Sequence, residues 1–551
     1  MTIINAEDKH PGDVASFQKI LKLGARWGAE LNPDDPSTWN EYVTWSEEKE
    51  NKRIEALNIV STYFSSTLDV TGLTNLKTLN CSHNELTDLS DLPDSLTTLD
   101  CSYNELTNLP SFPNNLKNLY CNNNRLKNSN FSNLPKGLTG LGCGGNELTD
   151  LSNLPQSLAN LECDNNQLTK LPNLPQSLTG LECGNNQLTN LPNLPSGLIT
   201  LSCNDNQLKN SDLANLPKSL ETLNCSNNEL KNFDSSKLPK GLKALSCNEI
   251  QLTELNVTEL TNLTILFCNK NNLTELDVTK NTKLEALSCE NNNLTKLDVK
   301  NNTELSYLYC CNNSLTKLDV TNNTELTYLS CYNNNLTEAD VTKNMKIAYL
   351  YFDGNSLAEL DVTKTAKLRV LTCSSNNLTE LDVTNNTELT YLSCYNNNLK
   401  ELDVTKNTEL TDLTCSNNNL TKLDVTKNTG LTDLSCNNNN LVNLNMPKHS
   451  VREQSAENQV IILPTVVVNG NRLTIPKPVI EYNGNQIDDS HINVTEGSII
   501  NSNIVWTGLS GAGGNAEFSF TQPLEKRNRT FSGKVIQPWT VSGGSGIRKN
   551  I

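Results

Sequence analysis

The chain has 551 residues, with 61 acidic side chains against 44 basic ones and a formal charge of −17. That balance disfavours broad nucleic-acid binding, which needs clustered Lys and Arg, and no run of 18 apolar residues offers a membrane-spanning helix. The 36% hydrophobic content is low for a globular enzyme but too high for a disordered chain, and the length suggests three or four domains.

The first 30 residues lack the apolar core of a secretory signal. Residues 12–63 are predicted to be helical. Asp35-Pro36-Ser37 reads as a helix start, and Trp39, Tyr42 and Trp45 follow at helical spacing. A helical cap over residues 1–65 would cover the open end of what comes next.

From residue 66 to 447 the frame L-x-x-L-x-C-x-x-N-x-L returns 18 times, at steps of 20 to 22 residues. The markers run from Cys81 to Cys436, with Phe352 once in place of Cys. This is the leucine-rich-repeat period, so the predicted fold is an α/β leucine-rich-repeat solenoid of about 18 repeats. Each repeat gives one short parallel strand, with Leu and Cys pointing inward and Cys acting as a small hydrophobe. Asn stands three residues after the marker in 17 of 18 repeats, Ile250 being the exception. An inward Asn amide can satisfy the backbone of the turn and reach the next coil. Early repeats carry L-P-x-x-L. From Cys247 every step is 21, and the Asp-Val-Thr segments predict a second short ladder or turns.

All 18 Cys lie in this array, 17 of them on the marker positions. No C-x-x-C pair suggests zinc, and regular spacing argues against a disulfide framework, so the thiols read as a buried stack. Cys203 faces inward and is therefore not a nucleophile. Cys311 follows a marker Cys and is expected to be an exposed thiol. Four scattered His and the lack of a phosphate-binding Gly loop leave no catalytic, metal or cofactor site in this reading.

Residues three before, one before and one after each marker project from the inner, concave face. They include no Lys or Arg. They do include Asp100, Glu162, Asp164, Glu182, Glu290, Asp353, Asp412 and Asp433. Eight of the 13 tyrosines cluster there on neighbouring repeats: Tyr307, Tyr309, Tyr328, Tyr332, Tyr349, Tyr351, Tyr391 and Tyr395. With Asp353 they form the candidate partner-binding surface, since Tyr is enriched at interface centres. Simple cross-strand stacking is the alternative. The acidic set serves either solubility or attraction to a basic partner.

Residues 448–551 contain no Cys and read as short strands with turns, VIILPTVVVNGNRLTIP, SIINSNIVW, AEFSFTQPL and TFSGKVIQPW, the pattern of an Ig-like β-sandwich.

Trp506-Thr507, FSFTQP at 518–523 and FSGKVIQP at 531–538 resemble the Ig-like inter-repeat domain of the internalin family. The 21-residue Cys-marked repeats look like that family's cysteine-ladder subgroup. The segment WNEYVTWSEEKENKRIEALNIV, followed by L-P repeats, also resembles leucine-rich-repeat effectors injected by type III secretion. The internalin resemblance implies a monomeric, non-enzymatic adhesin or virulence factor, secreted or at the cell surface. Its partner would be a host protein or glycoprotein, engaged through the concave face, with no nucleic acid, cofactor or membrane span. No signal peptide or sorting signal is visible, which keeps open an effector acting inside a cell. A structural surface spacer is a third reading.

Overall fold

The computed structural model describes residues 6–23, 27–28, 31–65, 67–230, 233–447, 453–468, 472–509, 513–523 and 530–541. The chain divides into two compact units, Met1–Asn272 and Leu273–Ile551.

The first unit begins with helix α1, Pro11–Leu21, whose Val14, Phe17, Ile20 and Leu21 are buried. Pro11 starts it and the His10 side chain accepts from the Asp13 amide, so the first turn is capped. Asp13 is fully buried and paired. It receives two N–H groups of Arg53, at 3.1 and 2.9 Å, and the Ile54 amide at 2.7 Å. The helix expected across residues 12–63 stops there. Pro36–Thr38 is a single 3-10 turn capped by Asp35, and Val43–Trp45 and Ile54–Asn58 are strands paired antiparallel. The reason lies in what a parallel sheet needs at its open end. Ile54–Asn58 pairs in parallel with Thr78–Asn80, supplying backbone partners that a helix cannot. Trp39 and Trp45 still share one core, stacked at 6.3 Å, and Phe17 meets Trp39 edge-on at 5.0 Å.

Beyond this cap the unit is a β-solenoid. Three-residue strands from Thr78–Asn80 to Ile265–Phe267 pair parallel and in register, Leu against Leu. The Leu at the strand centre and the marker Cys are buried throughout. Each Asn of the ladder donates twice within its own turn and once to the preceding coil, and accepts an amide from that coil. Asn104, for example, donates to Cys101 and Ser102 at 3.1 and 3.2 Å and to Cys81 at 3.0 Å, and accepts from Leu86 at 2.9 Å. The residue just before it is left-handed in repeat after repeat, as at His83, Tyr103 and Asn123, which explains the frequent Asn-Asn pair. The frame extends one turn upstream of its first Cys: Ile59 and Thr62 occupy the Cys and Asn places, and both are buried.

The second unit continues the same architecture within itself, from Ala286–Ser288 to Asp433–Ser435. The Asp-Val-Thr segments resolve into turns with a second buried spine. Asp319 accepts from the Thr321 amide and hydroxyl at 3.1 and 2.7 Å. Asn323 donates to Val299 and Asn302 at 2.9 and 2.8 Å. At the last turns a true second ladder forms, Lys422–Asp424 beside Asn443–Asn445. No α-helix is described outside the cap. The solenoid is thus all β with short 3-10 turns, a correction to the α/β class; its extended Pro- and Asp-Val-Thr-containing connections leave too few residues for helices.

One strand, Glu453–Ile462, carries the solenoid onward. Its first half pairs with Asp433–Ser435 and its second half with Thr530–Val541. Gln459 sits where the ladder Asn would be, donating to Cys436 at 3.1 Å and accepting from Leu441 at 3.0 Å. Of the remaining strands, Glu481–Tyr482 and Asn485–Gln486 extend the ladder of Asn443–Asn445, Ile492–Val494 pairs with Gly513–Pro523, and the others fall into two sheets. Thr530–Val541 pairs with Val466–Val468 and Gly513–Pro523, and Arg472–Pro476, Asn503–Thr507 and Gly497–Ile500 form the other. Trp506, Phe518, Phe520, Phe531 and Trp539 are buried.

Candidate protein-binding face

The face is built by strand register. Tyr307, Tyr328, Tyr349, Val370, Tyr391 and Asp412 stand in one row across six parallel strands. A second row holds Tyr309, Ser330, Tyr351, Thr372 and Ser393. The residues after the markers, Glu290, Cys311, Tyr332, Asp353, Ser374 and Tyr395, recur at 21-residue steps as a third.

The tyrosines play two different parts. Tyr328 is a hub, with ring centroids 4.6 Å from Tyr309, 5.8 Å from Tyr349 and 5.2 Å from Tyr351. The small Ser330 between Tyr309 and Tyr351 leaves room for this ring. Burial, followed by the neighbouring Tyr351 and Tyr309, pushes the Tyr328 hydroxyl well above the usual phenol range. The other group is open: Tyr307, Tyr349, Tyr391 and Tyr395 are 46, 38, 39 and 38% exposed. Tyr307, Tyr391 and Tyr395 make no ring contact among the described residues. Stacking thus accounts for the centre of the patch, with Tyr349 both stacked and exposed at its edge, and not for Tyr307, Tyr391 and Tyr395.

Cys311 does project to this face, but it is fully buried, which corrects the expectation of an exposed thiol. Strand phase gives a side chain's direction, while its depth is set by its neighbours. Here the long Glu290 and Tyr332 flank it, and its Sγ lies 3.1 Å from Glu290 Oε2. Burial pushes the thiol up to about 11. The hydrogen bond with Cys311, ahead of burial, raises the Tyr332 hydroxyl to about 12. Asp353 accepts from the Thr372 hydroxyl and, at 2.8 Å, from the Ser374 amide. Ser374 in turn meets Ser393 at 2.9 Å. This small-residue network was not singled out from the sequence, although its members share the marker-defined rows.

The first unit carries a different patch. Glu162 and Glu182 are paired across neighbouring strands, and Asn122 donates to Glu162 at 3.3 Å. Burial, then Glu162 and Asp164, raise the Glu182 carboxyl above its usual range. Among the described residues no group of three or more His, Cys, Asp or Glu is arranged to hold a metal, and no helix is long and apolar enough to cross a membrane.

In-register three-residue strands, a buried Asn ladder and an open polar-aromatic sheet face define the leucine-rich-repeat solenoid class. No protein-family model matches the chain. A stretch of 85 residues is 35% identical to Internalin I of Listeria monocytogenes serotype 4b (strain F2365), covering 15% of this chain and only 5% of that protein. Among solved structures, YopM from Yersinia enterocolitica WA-314 is 28% identical, with 73% of this chain and 87% of that one covered and a TM-score of 0.55. The functional domain of InlJ from Listeria monocytogenes, which includes a cysteine ladder, is 28% identical over 89% of this chain and 93% of its own, with a TM-score of 0.47. The Arabidopsis receptor kinase HAESA ectodomain, solved with a peptide hormone ligand, shares the fold at 18% identity, 81 and 90% coverage and a TM-score of 0.52. Both resemblances read from the sequence, to cysteine-ladder internalins and to leucine-rich-repeat effectors, are met among these proteins.

Proposed function

We propose that the chain is a non-catalytic protein-binding module that engages a protein or glycoprotein through the concave face between residues 286 and 437. The observation that carries this is the set of four exposed tyrosines on one sheet face with no Lys or Arg in its three rows. Rigid amphipathic rings grouped on an open surface are the usual anchors of an interface. The peptide hormone bound by HAESA is a precedent for the fold as a peptide binder. By the internalin resemblance we take residues 1–65 as cap, 66–447 as repeats and 448–551 as an Ig-like sandwich. On that basis the chain acts at a bacterial surface or after secretion, as an adhesin or virulence factor with a host partner. The likeness to YopM supports the rival reading, an effector acting inside the host cell.

The test uses photo-crosslinking residues at Tyr307 and Tyr395, and at Lys317 on the flank. The chain is incubated with host-cell surface proteins and, separately, with cytosol. A discrete adduct from the two tyrosine positions and none from Lys317 is expected; adducts from Lys317 alone would sink the concave-face reading. The fraction that supplies the adduct separates adhesin from effector.

A further inference from the structure

The next step rests on the concave-face reading and names the chemistry of its partner. The row of tyrosines is interrupted once, at Val370, which registers between Tyr349 and Tyr391. Neighbouring strands lie ~4.8 Å apart, so the two ring-bearing strands are about 10 Å apart with a shorter side chain between them. A cation midway would stand about 5 Å from each ring, inside the ~6 Å range of cation–π attraction. Both rings are exposed. Tyr349 has its ring neighbour, Tyr328, on the side away from Val370, and Tyr391 has none among the described residues.

Two carboxylates border the same gap. Asp412 registers beside Tyr391, and Asp353 is held in place by the Thr372 hydroxyl and the Ser374 amide. Neither has an ion-pair partner among the described residues. After burial, the groups that raise the Tyr391 hydroxyl are Asp412, Asp353, Tyr395 and Tyr351, so negative potential converges on this spot. No Lys or Arg occurs in the three rows to neutralise it.

We propose that the bay between Tyr349 and Tyr391, bordered by Asp353 and Asp412, receives an arginine or lysine side chain of the partner protein. Rings on both sides supply cation–π contact and the carboxylates supply charge. A neutral glycan would use the rings and leave the carboxylates without a purpose, so a cationic peptide segment is favoured.

The experiment is fluorescence anisotropy of the full chain with a labelled Ser-Arg repeat peptide, its citrulline counterpart, which has the same shape without the charge, and a neutral chito-oligosaccharide. The arginine peptide should bind at least about tenfold more tightly than the citrulline peptide. Tyr391→Ala, and separately the Asp353→Asn, Asp412→Asn pair, should each weaken it about fivefold or more, while Tyr391→Phe keeps the ring and most of the binding. Glu359→Gln on the flank and Tyr103→Asn in the first unit should bind like the parent, which separates a built bay from the general pull of an acidic chain. Equal binding of the two peptides, no binding of either, indifference to the bay variants, or Tyr391-dependent binding of the oligosaccharide alone would each overturn the proposal. If that happens while crosslinkers at Tyr307 and Tyr395 still capture a protein, the bay is wrong and the concave-face reading stands. Adducts from the flank alone would remove the reading itself.

Discussion

At the scale of single residues, a polar neighbour rather than exposure distinguishes two thiols that are both 0% exposed, Cys289 and Cys311. Cys289 is surrounded by the solenoid core, and burial pushes its thiol far up. A Ser hydroxyl there would be dehydrated without a designed partner, so Cys289→Ser should cost about 1–3 kcal/mol in urea denaturation. Cys311 already faces a carboxylate oxygen at 3.1 Å. Its Ser variant keeps a hydrogen-bond acceptor within reach and should lose less than about 1 kcal/mol. Equal losses would mean that Glu290 does not hold that thiol. The turn after each strand gives a second residue-scale prediction. Ser375 has φ 54°, a conformation that Asn tolerates better than Ser. Ser375→Asn should therefore stabilise by about 0.5 kcal/mol, read as a shift in the urea midpoint.

At the scale of elements, the two Asn spines tie each coil to the one before it. Asn323 bonds two buried carbonyls of the preceding turn, and its own Oδ1 has no partner. Both carbonyls keep a backbone donor, the Asn302 amide at 3.0 Å and the Leu305 amide at 3.1 Å, so Asn323→Ala should cost about 1–2 kcal/mol through two lost hydrogen bonds, less whatever is regained by removing the orphan oxygen. Asn323→Thr should cost about half as much, because Thr365 fills the same place in another repeat, where its hydroxyl is satisfied within its own turn by Val362 at 2.8 Å. If Thr proved as damaging as Ala, the spine would depend on the amide alone. The first spine was legible in the sequence, since one residue type at one offset in 17 repeats has a single physical use. The ends were not. Ile59 with Thr62, and Ala456 with Gln459, continue the frame with different residues, so periodicity of residue type stops before periodicity of structure does. Trp39 and Trp45 misled for a related reason: a spacing that fits a helix also fits a turn followed by a strand when both rings reach the same core. For the binding face, row membership was readable, but the split into stacked and exposed rings was not. That split depends on Ser330, Thr372 and Ser374, whose small size matters only once neighbours are in place.

At the scale of the whole molecule, the pH response should be lopsided. On the acid side, Asp277, Asp319, Asp340, Asp361 and Asp403 are held below the usual carboxylate range, chiefly by the hydroxyl two residues ahead. A lowered folded pKa gives stability that is present above the unfolded value and lost as pH falls through the folded one. These groups are exposed, so the loss below pH ~4 should be shallow. The thiols act in the opposite direction and in the interior. For seventeen of the eighteen, burial is the leading cause of a folded pKa above the ordinary value of 9.0, with Cys225, Cys394 and Cys436 pushed up to about 12. A raised folded pKa gives stability that is fully present below the unfolded value and lost as pH rises from there through the folded one. Each thiol contributes up to about 1.4 kcal/mol per pH unit, so the set contributes on the order of 20 kcal/mol per unit once the unfolded thiols ionise. Repulsion among thiolates in the unfolded chain reduces that figure. Even halved, it matches the roughly 5–15 kcal/mol that stabilises an ordinary domain. The chain should therefore stay folded from about pH 5 to 8 and unfold within about one pH unit above 9. Far-ultraviolet circular dichroism against pH, with thiol titration alongside, reads this directly. Thiols should become reactive together with the loss of β signal, and a chain still folded and unreactive at pH ~11 would mean that buried thiols do not limit it.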